Sequence, residues 1–404
     1  MANRERIIYL LNDRSRNTDL HKQLTELFSQ SAAQSVRAFH QSFPEYKPTP
    51  LIRLNHLAET LGVAHIWIKD ESYRFGLKAF KVLGGTHALA HIVAERLGLS
   101  AAKLSFDLFK SPDVKERLGD VTFVTATDGN HGRGVAWAAQ QLDCHAVIYL
   151  PRGVAQARYE AIKEHGADTF IIDGNYDDAV HLAAEQAEKH GWTLVQDTAW
   201  HGYEEIPTKI MQGYLTILHE TLEQLNGAVP THVFVQCGVG SLAASLQAYL
   251  VELYGDTRPL FNVVEPTRAA CFYKSMAEYD GTPKKVTGPM DTIMAGLACG
   301  EPSTLAWAIL QDYADVFIAC PDYVTIKGMR LLGNPLPGDA RIISGESGAV
   351  TLGLLVYLLE DPSYRAMAKA LRLDSTSKVL LISTESDTDP AMYRKIVRGE
   401  DEDS

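Results

Sequence analysis

Between residues 121 and 198 the chain repeats one unit four times: a short, β-branched apolar run, then a stretch patterned for a helix. The runs are VTFVTAT (121–127), HAVIYLP (145–151), DTFIID (168–173) and WTLVQDT (192–198). Between them, GVAWAAQQLD, VAQARYEAIKEHG and DDAVHLAAEQAEKHG place apolar residues at helical spacing. Strands alternating with helices of this length predict a parallel sheet covered by helices on both faces. The rhythm resumes with THVFVQCG (231–238), FNVVEP (261–266), VFIAC (316–320) and KVLLIS (378–383). The expectation is an α/β chain of two lobes, each an open, mostly parallel twisted sheet with helices on both faces. One lobe interrupts the other: residues 1–85 and 200–404 form the larger unit, and 86–199 a smaller one inserted in it. The first 45 or so residues are polar and helical in pattern, until Pro48 and Pro50 break the chain before LIRLNHLAETLG (51–62). AHIWIKDES (64–72) reads as a strand entering a polar turn, and FKVLGGTHALAHIVAERLG (80–98) as a helix. Only the tail, GEDEDS, is too polar to order.

The bulk numbers exclude several classes. The 404 residues carry a formal net charge of −12, which disfavours a nucleic-acid or anionic-membrane partner. No apolar run reaches the roughly 18 residues a membrane span needs. The N-terminus mixes both charge signs and lacks a long apolar region, so it does not read as a secretory signal, and the cytoplasm is expected. Five cysteines, Cys144, Cys237, Cys271, Cys299 and Cys320, are widely spaced and form no CxxC pair. That spacing argues against a metal site or a disulfide framework and for buried free thiols.

Five short stretches could carry chemistry. In GLKAFKVLGG (76–85), Lys78 and Lys81 sit where a polar loop enters an apolar helix. A partly desolvated lysine there is a usable amine nucleophile. ATDGNHGRG (126–134) follows a strand and precedes a helix, so its N–H groups lie at a helix start, an anion site, with the Asn130 amide as a further donor. QCGVGSLAAS (236–245) repeats that form: Gly238, Val239 and Gly240 bring backbone N–H groups close to a phosphate, and Ser241 adds a hydroxyl. As a dinucleotide fingerprint the stretch is a poor match, because Ala243 stands at the third glycine position. In ISGESGAV (343–350), Glu346 stands between two glycines ahead of an apolar helix. In LLISTESDTD (380–389), Ser383 and Thr384 end a strand, where ligands bind in open α/β sheets. Each stretch alone is also compatible with a turn or a helix cap. Their order along the chain suggests one cofactor site.

That order resembles the tryptophan-synthase-β-like family (fold type II) of pyridoxal 5′-phosphate enzymes. AFKVLGG (79–85) is similar to the family's Ser-Phe-Lys-x-Arg-Gly, which implies that Lys81, after Phe80, carries the cofactor. TDGNHGRG (127–134) is similar to its Ser-Gly-Asn-His loop and carries Asn130 to the cofactor's 3′-oxygen. CGVGS (237–241) resembles its phosphate loop, and ISTESD (382–387) the strand end whose hydroxyl meets the pyridine nitrogen, with Ser383 better aligned than Thr384. The likeness covers roughly residues 45–395. The chain departs from the family pattern at Asp128, where serine and threonine dehydratases carry Ser or Thr, at Cys237 and Val239, where relatives carry glycines, and at Leu83, often Arg. Further stretches, KDESYRFGLKAFKVLGG (69–85), VQDTAW (195–200) and SGESGAV (344–350), tighten the resemblance. They imply a homodimer that eliminates ammonia from 2,3-diaminopropionate, D or L, giving pyruvate and two ammonia. A serine/threonine dehydratase or an amino-acid racemase of the same fold is the alternative.

The resemblance implies α-proton bases at Asp128 for the D-hand and Asp197 for the L-hand. Asp128 is also placed to face a β-ammonium, whose charged form a carboxylate favours. Thr127, Gly129 and His131 complete the loop expected to seat the substrate carboxylate. Cys271 and Cys299 lie in AACFY and GLACGEP beside the site, as free thiols or as a redox-sensitive pair that orders a lid.

Overall fold

The apolar runs form two sheets in the computed structural model, which describes residues 5–16, 21–100 and 104–399. The strands in chain order are β1 (Ile8–Leu11), β2 (Leu51–Arg53), β3 (His65–Asp70), β4 (Thr122–Ala126), β5 (His145–Leu150), β6 (Asp168–Ile171), β7 (Thr193–Leu194), β8 (His232–Gln236), β9 (Leu260–Pro266), β10 (Val316–Cys320) and β11 (Lys378–Ser383). A seven-stranded sheet has the order β1-β10-β9-β8-β11-β3-β2, and a four-stranded sheet the order β6-β5-β4-β7. Every neighbouring pair is parallel except the two edges, β1 with β10 and β2 with β3.

The alternation of side chains explains why both faces need helices. Along β11, Leu380 and Ile382 join one core with Val233, Val235 and Phe261, while Val379 and Leu381 join another with Phe234 and Val264. The smaller sheet divides likewise. Phe123, Ile148 and Leu150 pack into the first core, and Val124, Ala126 and Val147 pack under Tyr176, Ala179, Val180 and Ala183. Strands buried on both faces read as continuous apolar runs, and that is how β4, β5 and β8 to β11 appear in the sequence.

Two expectations need correction. The first 45 residues are not uniformly helical, because Ile8–Leu11 adds an antiparallel edge to β10. The run IIYLL is apolar on both faces, and β10 offers it a free edge. WTLVQDT gives only a two-residue strand. Its later backbone leaves the ladder for side-chain partners: Val195 O accepts from His131 Nε2 at 2.7 Å, and Gln196 N donates to Tyr203 OH at 2.8 Å. The early departure brings Asp197 against Lys81. The acidic residues 400–404 lie outside the described residues.

Two features fix where the lysine-bearing helix sits. Ahead of it, Arg74 is buried and fully paired: its Nε and Nη2 donate to Glu71 at 2.8 Å and its Nη1 to Glu220 Oε1 at 2.8 Å. Lys69 Nζ donates to Glu220 Oε2 at 2.7 Å. Behind it, glycines bring the helix Val82–Leu97 against its neighbours. A Cβ on Gly134 would lie 2.9 Å from Val82 Cα, and one on Gly213 only 2.4 Å from Leu83 O. The helices Asn130–Gln141 and Glu205–Gly213 therefore approach backbone to backbone.

Candidate active site

The carboxyl ends of the strands from both sheets face one cleft, the usual ligand position in open α/β sheets. β8 ends at Gln236, the turn Cys237–Gly240 follows, and the helix Ser241–Tyr254 begins. Gly240 caps that helix at φ +98°, and a Cβ there would lie 2.3 Å from Phe272 Cζ. No residue but glycine fits. β4 likewise ends in a turn, and the helix Asn130–Gln141 starts with Asn130 as its first residue.

One cavity lies between these turns. Of the residues read from the sequence, Phe80, Lys81, Asp128, Asn130, Gly238, Val239, Gly240, Ser241 and Thr384 line it. Tyr176, Tyr214, Gln236, Cys237, Leu242, Gly296, Leu297, Cys299, Ser347 and Glu385 complete the wall. Lys78 does not reach the cavity: it is half-exposed and pairs with Asp387 at 2.8 Å.

Buried Asp197 and half-buried Lys81 form an ion pair between Oδ2 and Nζ. The other carboxylate oxygen, Oδ1, accepts from Tyr176 OH at 3.2 Å and Gln196 Nε2 at 3.3 Å. Burial opposes charge on both partners, but their mutual attraction wins. The Lys81 ammonium is raised above its ordinary pKa, and Asp197 is held below the carboxylate range. Asp128 differs. Its Oδ2 is buried without a hydrogen bond, and its nearest cation is Arg158, with Nη1 4.0 Å away. Burial raises its pKa, against the pull of Lys81 and Arg158.

Several sequence candidates sit elsewhere. Thr127 Oγ1 accepts from Gly129 N at 2.9 Å and Gly132 N at 3.0 Å, so those N–H groups stabilise the loop itself. His131 is tied by Nε2 to Val195 O, with Nδ1 3.9 Å from Asp197 Oδ2. Thr127, Gly129 and His131 therefore shape the loop from behind the cavity wall. Ser383 also faces away, bonding Ser344 Oγ at 2.9 Å, because consecutive residues at a strand end point to opposite sides. The hydroxyl presented to the cavity belongs to Thr384, whose oxygen accepts from Gln236 Nε2 at 2.9 Å and is left free to donate. Glu346 lines an adjoining cavity that it shares with Asp128 and Arg158, not the one holding Lys81. Cys271 and Cys299 are free buried thiols, raised by burial.

Sequence reading missed Glu385 and Arg158. Glu385 follows the strand-end hydroxyls directly in STESD. Its Oε2 accepts from Asn130 Nδ2 at 2.6 Å and its Oε1 from Ser347 N at 3.0 Å, joining both sheets' loops. A carboxylate only accepts, so the Asn130 amide nitrogen, not its oxygen, is turned toward Glu385. Arg158 belongs to the helix Gln156–Lys163, and nothing in its local pattern marks it as buried.

These features fit pyridoxal phosphate. The Gly240 cradle admits no side chain and leaves backbone N–H groups at a helix start for a phosphate. Lys81 brings the amine, Asn130 an amide donor and Thr384 a hydroxyl for a ring nitrogen.

An α/β chain with this cradle and this lysine is a pyridoxal-phosphate-dependent enzyme. The chain belongs to the family described as pyridoxal-phosphate dependent enzymes, whose model matches residues 43–385. Within that family it is 50% identical over 397 residues to the diaminopropionate ammonia-lyase of Salmonella typhimurium (strain LT2), covering 97% of this chain and 98% of that protein. The solved holo structure of diaminopropionate ammonia lyase from Escherichia coli superposes with a TM-score of 0.90 at 48% identity, over 98% of this chain and 97% of that one. The same enzyme in complex with D-serine matches with a TM-score of 0.90 at 47% identity, over 98% of each chain.

Proposed function

We propose that the chain catalyses the α,β-elimination of 2,3-diaminopropionate, in either hand, to pyruvate and two ammonia. The near-full-length likeness to diaminopropionate ammonia-lyases supports the reaction. The observation that carries the substrate is Asp128. A carboxylate whose Oδ2 is buried without a hydrogen bond, in the wall of a cavity that holds a lysine, suits a substrate with a second amine.

Pyridoxal phosphate, when bound, supplies an electron sink for the pair left as the α-proton departs. The Gly238–Ser241 turn would hold its phosphate, Lys81 its carbonyl carbon, Asn130 its ring oxygen and Thr384 its ring nitrogen. Thr384 is a neutral hydroxyl, so it would offer that nitrogen a hydrogen bond rather than a full charge. The first helical N–H groups, at Asn130 and His131, would seat the substrate carboxylate. Asp128 would take the α-proton of the D-hand and Asp197 that of the L-hand. The β-amine must depart as neutral ammonia, so it leaves from its protonated form, which the two carboxylates favour. Lys81, paired with Asp197 and sharing the cavity wall with Asp128, would be the amine that returns or accepts the proton. The larger unit would comprise 1–85 and 200–404, with 86–199 inserted, in a cytoplasmic protein that the family resemblance implies to be a homodimer.

Product analysis tests the reading. With each enantiomer of 2,3-diaminopropionate the enzyme should release two ammonia per pyruvate. Turnover of serine at one ammonia per pyruvate, with none of the diamino acid, would instead make the chain a dehydratase.

A further inference from the structure

Among the described residues Arg74 and Arg158 are both buried beside carboxylates, and they are built differently. Arg74 makes close hydrogen bonds to Glu71 and Glu220 at 2.8 Å. Arg158 lies between two carboxylates and touches neither: Nη1 is 4.0 Å from Asp128 Oδ2 and Nη2 is 3.6 Å from Glu346 Oε2. Its Nε, Asp128 Oδ2 and both oxygens of Glu346 are buried without a hydrogen bond. Arg158 is 6% exposed, Asp128 and Glu346 share its cavity, and its stem packs on the catalytic loop. A Cβ on Gly129 would lie 3.0 Å from Arg158 Cδ and 3.2 Å from its Cβ. The guanidinium is thus braced against the residue next to Asp128, yet free to act on it through space. A structural ion pair would close the gap, as Arg74 does.

We propose that Arg158 is a positioning residue for Asp128, holding that carboxylate ionised and in place, and so determining turnover of the D-hand of the substrate. The inference rests on the reading of Asp128 as the D-hand base. It commits to a residue of the smaller sheet's outer helix that neither forms the cofactor cradle nor lines the Lys81 cavity.

The charges around Asp128 support the assignment. Lys81 and Arg158 favour its ionised form, while Glu385 and Asp197 oppose it, and Cys299, His131 and Tyr176 face it as well. Lys81 is already paired with Asp197. Arg158 is therefore the cation with no direct hydrogen bond to a carboxylate, shared at 4.0 Å with Asp128 and at 3.6 Å with Glu346. On its other side Glu346 competes for the same guanidinium, with Glu385 and Asp389 nearby. Removing the cation must weaken the ionised form of Asp128, and removing the competitor must strengthen it.

The test is the pH profile of kcat/KM for each enantiomer in the holoenzyme. An arginine beside an aspartate lowers its pKa by about one to three units. In Arg158→Met the acid limb for the D-hand should therefore move up by about one pH unit or more, while the L-hand limb keeps its position. Arg158→Lys should restore most of the shift, and Glu346→Gln should move the D-hand limb down. Equal movement for both hands, or no movement in a variant that still binds cofactor by its visible absorbance, overturns the proposal. Asp128→Asn separates the two claims. A D-hand limb that survives in Asp128→Asn refutes the assignment of Asp128 itself. A limb lost there but unmoved in Arg158→Met refutes only the role of Arg158.

Discussion

The spacing between Lys81 and the Asp128–Asn130 loop is set by two helices crossing at glycines, and Gly134→Ala should disturb that spacing with little cost to the fold. A Cβ at position 134 would lie 2.9 Å from Val82 Cα, 3.0 Å from Val82 N and 3.2 Å from Lys81 C. All three are backbone atoms at the start of the lysine-bearing helix, so no side chain can swing aside. Ordinary contact begins near 3.4 Å, so the helices must part by about half an ångström. Such overpacking costs roughly 1–3 kcal/mol. Alanine in a helix interior recovers about 1 kcal/mol relative to glycine. The net loss of stability is then about 0–2 kcal/mol, a shift of a few degrees in melting temperature. Activity responds more steeply, since misplacing a reacting group by about 1 Å can cost roughly 100-fold. We expect kcat/KM to fall by about 10- to 100-fold for both hands, with the cofactor still bound. Gly85→Ala meets the same crossing more loosely, at 3.2 Å from Gly134 C, and should be milder. Paired melting curves and steady-state kinetics measure both quantities. Activity within twofold of the parent, or Gly85→Ala more damaging than Gly134→Ala, would refute the idea that this crossing sets the site.

Lys81→Ala should abolish the visible absorbance of the bound cofactor, whereas Lys78→Ala should retain it; the reverse result would exchange their roles. Thr384→Val should weaken cofactor binding and shift that absorbance, while Ser383→Ala should leave both in place, because Ser383 faces Ser344; equal effects would mean that strand-end polarity matters rather than one hydroxyl. Glu265 is pushed by burial up to about 8 although it accepts from Phe272 N and Tyr273 N. A carboxyl raised on folding stabilises most at low pH, and that contribution is lost as pH rises toward the folded value. Melting of Glu265→Gln relative to the parent should therefore improve steadily from about pH 5 to pH 8, and a difference independent of pH would contradict this.

The parallel lobes were legible because strands buried on both faces leave unbroken apolar runs, and β4, β5 and β8 to β11 fall within a residue or two of those runs. The glycine cradle was legible because only glycine can supply the φ of Gly240 beside Phe272. What the sequence hid was orientation. Ser383 and Thr384 are adjacent hydroxyls, and only the pleat of β11 decides which one faces the cavity. Thr127 looked like a substrate contact, but its hydroxyl is consumed by Gly129 N and Gly132 N. Arg158 and Glu385 were invisible for another reason. Arg158 meets Asp128 from a separate helix and Glu346 from more than 180 residues away, Glu385 meets Asn130 from more than 250, and a charged residue brought into place by tertiary packing leaves no local period.

The two aspartates of the site stand in environments that drive their ionisation apart, a common mark of divided acid–base duties. Asp197 is lowered by Lys81, His131 and the Tyr176 hydroxyl, whereas burial raises Asp128. Committing Lys81 to the cofactor weakens its pull on both, yet Asp197 keeps its bonds from Tyr176 and Gln196 at 3.2 and 3.3 Å, and Asp128 gains none. The order of the two pKa values should therefore survive loading. A base acts only when ionised, so the acid limb of kcat/KM for L-2,3-diaminopropionate should lie at lower pH than that for the D-hand. Profiles of both hands, recorded in one buffer series on the same holoenzyme, decide the matter. A D-hand limb at or below the L-hand limb would mean that the two carboxylates do not divide the enantiomers between them.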